Sequence, residues 1–271
     1  VMDLTYETLE VRLSEKISRQ AIHINANPFP HFIIDDFLPV DFFEQINSLL
    51  IKETSFSRKY FTPIEKNKQV YGGKELFGPL YFPLRLLGGN IGKKLVSKII
   101  FSQSVKSMID DDNYVGFPYH IMQDGGYLGS HVDHSHSGNY WHENDLHVAN
   151  CIYFASPKWD AAWGGEFLLF NQTGLRIINK ITPKPNRLIV FSNSSSSFHG
   201  TGMLNCPESI KRNTFYMDFY IPRSEYCAVK AHLKKAFGID FSIWRHVTTF
   251  IPFAPLGIRS FSLKDFLSRT R

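Results

Sequence analysis

The chain of 271 residues is 43% hydrophobic and 20% charged, a balance that can bury a core and excludes a disordered protein. No apolar run approaches the roughly 18 uncharged residues of a membrane-spanning helix, and the polar, acidic N-terminal segment is not expected to be a secretory signal. Its three cysteines share no metal-type spacing, which argues against a disulfide framework. These features favour a reducing compartment, and we expect a cytoplasmic protein.

The net charge of +5 could indicate a nucleic-acid partner, but its distribution argues against one. Basic residues are spread over four stretches and form neither a dense stripe nor a known nucleic-acid motif. The stretches are 58–68, 93–106, 230–235 and 259–271. A solvated basic surface is the simplest interpretation, and attraction of an anionic substrate is the alternative.

The first hundred residues are predicted to be helical with one strand. An apolar stripe at Leu4, Leu9, Leu13 and Ile17 is typical of an amphipathic helix. A short strand is predicted at 32–34, and Pro39 is expected to start a helix that buries an apolar face. That face comprises Phe43, Ile46, Leu49 and Leu50. A further helix is predicted over about 91–109.

From residue 114 onward, short runs rich in β-forming residues alternate with Gly, Asn, Asp and Pro. Eight strands at this spacing indicate an antiparallel sandwich or barrel. They are predicted at 114–122, 127–133, 147–155, 166–171, 175–182, 187–192, 197–202 and 214–221. Helices return at 226–237 and in the tail at 261–268. We therefore expect one domain with a helical N-terminal part (1–112), a β core (113–222) and a helical C-terminal extension (223–271).

Three residues of the predicted β core have the types and spacing of a metal site. His131 and Asp133 are two apart on a strand, so their side chains project from the same face. His199 follows on a later strand and could complete a set of two histidines and one carboxylate. Such a facial triad leaves half of an octahedral metal open and suits non-haem Fe(II). Without the third residue, each histidine could equally be an ordinary core or surface side chain.

Arg212 heads a strand of alternating pattern downstream of His199. Arg212, Thr214 and Tyr216 share one face of this strand, whereas Asn213, Phe215 and Met217 share the other. An arginine buried in a barrel needs an anionic partner, and a carboxylate bound through two hydrogen bonds meets that need. If this face is in solvent, Arg212 is instead a surface charge.

Taken in order, these segments resemble the Fe(II)/2-oxoglutarate-dependent dioxygenase superfamily, in its prolyl-4-hydroxylase-like branch. The resemblance covers about residues 114–222 and rests on five ordered blocks, with one further block upstream. The blocks are YLGSHVD (127–133), CIYF (151–154) with WD (159–160) and WGGE (163–166), PNRLIVF (185–191), HG (199–200) and RNT (212–214), and the upstream one is PFPHFIIDDFL (28–38).

The resemblance implies a double-stranded β-helix of the jelly-roll or cupin-like type, mainly β with flanking α-helices. It also implies that His131, Asp133 and His199 bind Fe(II), and that Arg212 and Thr214 bind the far carboxylate of 2-oxoglutarate. Further contacts to this co-substrate are expected from Tyr119, Gln123 or Tyr127. O2 is the oxidant, and ascorbate is a possible further cofactor. Asp133 favours hydroxylation, because halogenating relatives replace this carboxylate by a small residue.

The implied reaction is hydroxylation of an unactivated C–H bond, with 2-oxoglutarate converted to succinate and CO2. The substrate could be a small metabolite, a sugar or a peptide, because fold and triad do not select among them. A catalytically silent β-barrel that binds sugar is the alternative, and a zinc hydrolase is a third hypothesis that gives Arg212 no role.

The segment 134–146 is long and rich in histidine and follows the strand that carries two predicted metal ligands. It could form a second metal site, a solvated loop or a lid over the substrate. We favour the lid over a second metal site and hold a solvated loop to be an equal alternative. In the lid, Tyr140 or Trp141 would contact the primary substrate, because large aromatic side chains are costly to leave in water.

Overall fold

The computed structural model describes residues 5–50, 58–72, 76, 78–110, 116–134, 145–242, 249–251 and 255. Most helices precede the long strands, and one follows them. The α-helices of the described residues are α1 (Tyr6–Arg19), α2 (Val40–Leu49), α3 (Phe82–Gly88), α4 (Asn90–Ile100) and α5 (Tyr226–Phe237).

All strands of the described residues belong to one hydrogen-bonded sheet. The first strands are β1 (His31–Ile34), β2 (Arg58–Phe61), β3 (Glu65–Tyr71), β4 (Lys106–Ser107), β5 (Tyr119–Val132) and β6 (Asp145–Phe154). The remaining ones are β7 (Phe167–Phe170), β8 (Ile177–Ile181), β9 (Arg187–Ser192), β10 (His199–Thr201), β11 (Arg212–Pro222) and β12 (Thr249–Phe250).

The long strand β5 connects the two layers into which this sheet curls. Its first residues, 119–122, pair with β11 in a layer ordered β1-β9-β6-β11. Its later residues pair with β10, which continues to β7 and β8. Every pairing between these strands is antiparallel. Antiparallel sheets commonly have two different faces, and here one face lines the site while the other is packed or solvated. The predicted class, a mainly β jelly roll of the double-stranded β-helix type with flanking helices, is confirmed.

The helices pack against one side of the larger layer and form the main hydrophobic core. Leu9, Leu13 and Ile17 of α1 are buried there, as the apolar stripe predicts, and Thr5 caps this helix through its side chain. In α2 the buried residues are Phe42 and Ile46.

The predicted inward face of α2 needs a correction. Leu49 is 43% exposed and Phe43 is only partly buried, whereas Phe42 takes the inward place. At 100° per residue, Phe42 and Leu50 lie about 40° around the helix from Ile46, whereas Phe43 and Leu49 lie about 60° away, at the two edges of the buried face.

The N-terminal part contains more β structure than the sequence pattern predicts. The hairpin β2–β3 pairs with β5 and adds a wall to the β core. The helix predicted over 91–109 ends earlier, because Phe101 takes a left-handed conformation with φ of 59°. The short strand β4 then pairs with β11.

Two predicted strands, 114–122 and 127–133, form the single strand β5. The predicted tail helix at 261–268 lies outside the described residues. In the part of the chain that the structure does describe, no helix combines the length and the hydrophobicity needed to cross a bilayer.

Candidate metal and co-substrate site

A cavity of about 350 Å³ is lined by residues from both layers of the β core. Its wall combines imidazole, carboxylate and guanidinium groups with aromatic rings, which is typical of a ligand site. Polar residues of this wall include Lys68, His120, His131, Asp133, His134, Asn150, His199, Arg212, Thr214 and Asp218.

The structure brings the three predicted metal-binding side chains together in this cavity. The Nε2 atom of His131 lies 3.5 Å from Oδ1 of Asp133, and Nε2 of His199 lies 3.4 Å from its Oδ2. Two ligands about 2.1 Å from one metal ion, at angles of 90–110°, lie about 3.0–3.5 Å apart. The spacing of the three side chains therefore fits a single metal ion.

The hydrogen bonds of the two imidazoles identify which nitrogen is available to a metal. Nδ1 of His131 lies 2.8 Å from the carbonyl of Gly129, and Nδ1 of His199 lies 2.9 Å from that of Ser197. A carbonyl oxygen only accepts, so each Nδ1 carries a proton, and in the neutral ring each Nε2 then has its lone pair. Two lone pairs and a carboxylate thus converge on one point with no donor between them, which fits a cation.

The protonation states of these groups also suit metal binding. Burial lowers the pKa of His131, with a further contribution from His199, so its imidazole is neutral at neutral pH. Burial alone would raise the pKa of Asp133, but the facing His199 and His131 hold it well below its usual range. A neutral imidazole and an ionised carboxylate are the forms that ligate metals.

A β-bulge in β5 turns His131 and Asp133 toward the cavity. His199 pairs with His131, but Thr201 pairs with Leu128. The two pairs are thus three residues apart on β5 and only two residues apart on β10. Without the extra residue, strict alternation would place His131 on the face opposite to Leu128. The bulge reverses the alternation, and both Leu128 and His131 line the cavity.

Gly200 lies opposite this bulge and allows the two strands to approach. A Cβ atom at residue 200 would lie 2.7 Å from the carbonyl oxygen of Leu128 and 3.0 Å from that of Gly129. Real side chains essentially never come that close to backbone. The His-Gly pair at 199–200 therefore supplies both a ligand and the space that the bulge requires.

Asn150 links Asp133 to a second carboxylate. Its side-chain amide donates to Oδ2 of Asp133 at 3.1 Å and to Oδ1 of Asp218 at 2.9 Å. The amide group orients Asp133 from behind, as the outer hydrogen-bond partners of metal ligands commonly do.

Arg212 lines the same cavity and is almost fully buried. Its Nε donates to the carbonyl of Gly165 at 2.9 Å, and the guanidinium carbon lies 4.9 Å from the centre of the Phe154 ring. Within the described residues, no carboxylate forms an ion pair with it. Burial lowers its pKa to about 9, although Glu166 acts in the opposite direction. A buried guanidinium of this kind gains most from a carboxylate that enters the cavity.

Gly165 positions the carbonyl that Arg212 contacts. Its φ of 70° lies in the left-handed region, and an added Cβ would lie 3.0 Å from the Trp159 ring and 3.3 Å from Cδ of Arg212. The indole nitrogen of Trp159 donates to the Gly164 carbonyl, which fixes the same turn. The Gly-Gly pair at 164–165 is therefore part of the arginine site.

Thr214 follows Arg212 on the cavity face of β11 and is also buried there. The three candidates for a further co-substrate contact do not line this cavity. Tyr119 lies in the hydrophobic core and donates its hydroxyl to Asn213, and the hydroxyl of Tyr127 donates to the carbonyl of Pro63. Gln123 is part-exposed outside the cavity lining.

Alternation along β5 explains this placement. His120 and Met122 face the cavity, so their neighbours Tyr119 and Ile121 face the helices. Tyr119 and Tyr127 were predicted to contact the co-substrate from their residue type. The two-residue period of the strand instead predicts that His120 faces the cavity, two residues before Met122. Asp218 could likewise have been predicted, because it continues the face of Arg212, Thr214 and Tyr216.

Other cavity residues gave no signal in the sequence. Lys68 lies on the unpredicted strand β3, where its ammonium contacts Glu65 at 2.6 Å. Asn150 lies in strand β6, where no motif distinguishes it from the other polar residues, Asp145 and His147. The two residues predicted to contact the primary substrate, Tyr140 and Trp141, lie outside the described residues.

The comparison with protein families matches residues 117–217 to the 2OG-Fe(II) oxygenase superfamily. The matched segment contains the triad, Arg212 and Thr214, together with all strands from β5 to β10 and the first half of β11. Over this segment the β core is similar to the 2OG-Fe(II) oxygenases, enzymes that use Fe(II), 2-oxoglutarate and O2. A comparison with curated protein sequences found no match.

Solved structures similar to this chain include two prolyl hydroxylases and HygX. The viral collagen prolyl hydroxylase of Paramecium Bursaria Chlorella virus-1 is 14% identical, with 70% of this chain and 96% of that chain covered and a TM-score of 0.47. A Pseudomonas putida prolyl-4-hydroxylase is 12% identical, with 79% and 99% covered and a TM-score of 0.45. HygX from Streptomyces hygroscopicus, solved with nickel and 2-oxoglutarate, is 12% identical, with 71% and 82% covered and a TM-score of 0.48. At these values the solved structures carry no argument about function, and the similarity to the oxygenases depends on the family match.

Proposed function

We propose that His131, Asp133 and His199 bind Fe(II), and that Arg212 and Thr214 bind the far carboxylate of 2-oxoglutarate. The observation that carries this proposal is the presence of both groups in one cavity. The triad directs three acceptors at one point, and Arg212 lies buried in the same wall without a carboxylate partner among the described residues.

The reaction that this arrangement supports is hydroxylation of an unactivated C–H bond. When bound, Fe(II) with 2-oxoglutarate and O2 supplies the oxidant, and 2-oxoglutarate is converted to succinate and CO2. The protein orients the two reactants, because the triad and Arg212 lie on antiparallel strands that are hydrogen-bonded into one sheet.

Arg212 contributes both affinity and orientation. Its guanidinium has two terminal nitrogens, and within the described residues one of them contacts only the sulfur of Met122, at 3.9 Å. A carboxylate can accept from both in parallel, which fixes its plane as well as its position. The neighbouring hydroxyl of Thr214 can donate a further hydrogen bond.

Apolar rings surround the metal-binding imidazoles and restrict water. Phe250 stacks on His131 with ring centres 5.1 Å apart, and Phe191 packs edge-on against His199 at 4.8 Å. A dry surrounding strengthens the attraction between the carboxylate of Asp133 and a bound cation.

The primary substrate is proposed as a small metabolite, a sugar or a peptide. Lys68, Glu65 and Tyr60 belong to the hairpin β2–β3 and line the cavity, together with Phe117. This mixture of charged and aromatic groups suits a polar substrate with an apolar part. Tyr140 and Trp141 are proposed to close over that substrate.

The test is succinate release by the full chain supplied with Fe(II), 2-oxoglutarate and pools of metabolites, sugars or peptides, followed by mass spectrometry for the gain of one oxygen. We expect Fe(II)-dependent succinate in proportion to the hydroxylated product. Ligand binding without any succinate formation would instead identify a silent binding module, and substrate hydrolysis without 2-oxoglutarate would identify a zinc hydrolase.

A further inference from the structure

A second group of potential metal ligands lies in the wall beside the triad. His134, His147 and Asp218 each offer a ligand atom, and these atoms all lie within 4.8 Å of one another. The three residues come from separate places: the end of β5, strand β6 and strand β11. The family resemblance assigns none of them a role.

The hydrogen bonds of His147 show which of its nitrogens faces this group. Its Nδ1 lies 2.9 Å from the backbone carbonyl of His134, so Nδ1 carries the proton. Burial lowers the pKa of His147, so its ring is neutral and Nε2 has its lone pair. Nε2 is fully buried and has no hydrogen-bond partner in the described part of the chain. It lies 3.7 Å from Oδ1 of Asp218.

This arrangement repeats the geometry of the triad. In both groups a histidine bonds a backbone carbonyl through Nδ1 and directs Nε2 at an aspartate oxygen, at 3.4–3.5 Å in the triad and 3.7 Å here. Nε2 of His147 is buried without a donor, which is unfavourable because the atom has lost its hydrogen bonds to water. A cation between the two atoms would satisfy both.

We propose that His134, His147 and Asp218 form a second binding site for a divalent transition-metal ion, such as Zn(II), separate from the Fe(II) site. Two imidazoles and one carboxylate suit Zn(II) and similar first-row ions, whose bonds to nitrogen and oxygen are about 2.0–2.2 Å long. The contact of 3.7 Å needs to shorten by only a few tenths of an ångström. His134 and Asp218 line the cavity, which gives the ion a path of entry.

The second ion would act on the Fe(II) site through Asn150. The amide of Asn150 donates to both Asp218 and Asp133. An ion that holds Asp218 in place therefore also holds the amide that orients Asp133. The proposed role of the ion is to fix the positions of Asp218 and Asn150, neither of which is one of the three Fe(II) ligands.

The test measures Zn(II) binding to the metal-free full chain by calorimetry and elemental analysis. We expect two equivalents for the unchanged protein, one for His147→Asn and one for the double variant His131→Asn/His199→Asn. Asparagine can keep the hydrogen bond of the former Nδ1 but lacks Nε2. The matched control is His31→Asn, since His31 is also buried and bonds a carbonyl through Nδ1, at Phe29, but belongs to neither group. It should retain two equivalents.

One equivalent in the unchanged protein, lost entirely in the His131/His199 double variant, would overturn the second site and leave the Fe(II) site standing. The opposite pattern, with one equivalent unaffected by the double variant, would support the second site and count against the triad. If His147→Asn does not fold, Asp218→Asn replaces it. Anomalous diffraction at the zinc edge should show two peaks, and a single peak at the triad would also overturn the proposal.

Discussion

The two faces of β11 show how one strand serves both the site and the stability of the fold. Arg212, Thr214, Tyr216 and Asp218 line the cavity, whereas Phe215, Met217 and Phe219 belong to the helix-covered core. Successive side chains of a strand point to opposite faces, so a functional residue and a core residue alternate along the chain. Packing of the core face holds the strand in place, and the side chains on the cavity face are therefore held in fixed positions as well.

This comparison leads to an experimental distinction. Substitutions on the cavity face should reduce binding or turnover and leave the free energy of unfolding nearly unchanged. Substitutions on the core face should lower the free energy of unfolding and leave the affinity of the folded fraction unchanged.

The largest effect is expected at the triad. Replacing His131, Asp133 or His199 by Ala should abolish Fe(II) binding or turnover, because each removes one of three ligands, while the melting temperature should change little. Metal analysis, succinate release and thermal unfolding measure these effects. The control is His31→Ala, which should retain Fe(II) and turnover. An Asp133→Ala variant with normal turnover would contradict the assignment of His131, Asp133 and His199 as the Fe(II) ligands.

On the core face, Phe215→Ala should lower the free energy of unfolding by about 3–5 kcal/mol, as the loss of a buried aromatic ring leaves a cavity. Phe215 is fully buried between Tyr119 and Tyr153. Urea denaturation measures the loss, and Phe215→Leu should lose less. The affinity for 2-oxoglutarate should stay unchanged below the transition. A weakened affinity with unchanged stability would contradict the division between the faces.

On the cavity face, Arg212→Ala should weaken 2-oxoglutarate binding by about 2–5 kcal/mol, because a buried charge pair is lost. Arg212→Lys should restore the affinity only in part, since one ammonium does not replace the guanidinium fork. Stability should be unchanged or increased, because an uncompensated buried charge is removed.

Arg187→Ala is the matched control for Arg212. Arg187 is mostly buried but bonds Asp35 through two nitrogens, at 2.6 and 2.9 Å, away from the cavity. This variant should lose stability and keep its affinity for 2-oxoglutarate. An unchanged KM for 2-oxoglutarate in Arg212→Ala would show that the cavity face of β11 does not bind the co-substrate.

A smaller effect is expected at Asn150, which contacts Asp133 without reaching the cation itself. Asn150→Ala should lower Fe(II) affinity or turnover about 10- to 100-fold, the usual range for partners that orient a metal ligand. Fe(II) titration distinguishes this role from a purely structural one. A variant that loses stability but keeps wild-type Fe(II) affinity would show that the amide only packs.

The smallest effect concerns residues 135–144, which lie between β5 and β6 and outside the described residues. Replacing Tyr140 and Trp141 together by Ala should raise the KM for the primary substrate and leave the KM for 2-oxoglutarate nearly unchanged. Succinate formation uncoupled from substrate should persist, because it depends on the triad. Wild-type kinetics would place specificity in the helical N-terminal or C-terminal segments instead.

The sequence by itself predicted the residues of the triad and the alternation along β11. Both depend on local rules: ligand types at a strand spacing, and side chains that change face at every residue. The same rules predicted the β core and the buried face of α1. They did not predict the hairpin β2–β3, because its charged residues lack the apolar alternation of a strand.

Only the tertiary structure decided which strand faces meet around the cavity. Strict alternation along β5 would place His120, Met122 and Leu128 on the face opposite to His131 and Asp133. The bulge paired with Gly200 reverses the alternation between them, and it exists only because β10 lies against β5. The contacts of Asn150 and the group formed by His134, His147 and Asp218 have the same origin. They join residues far apart in the chain, and the pairing of distant strands is not encoded in any local pattern.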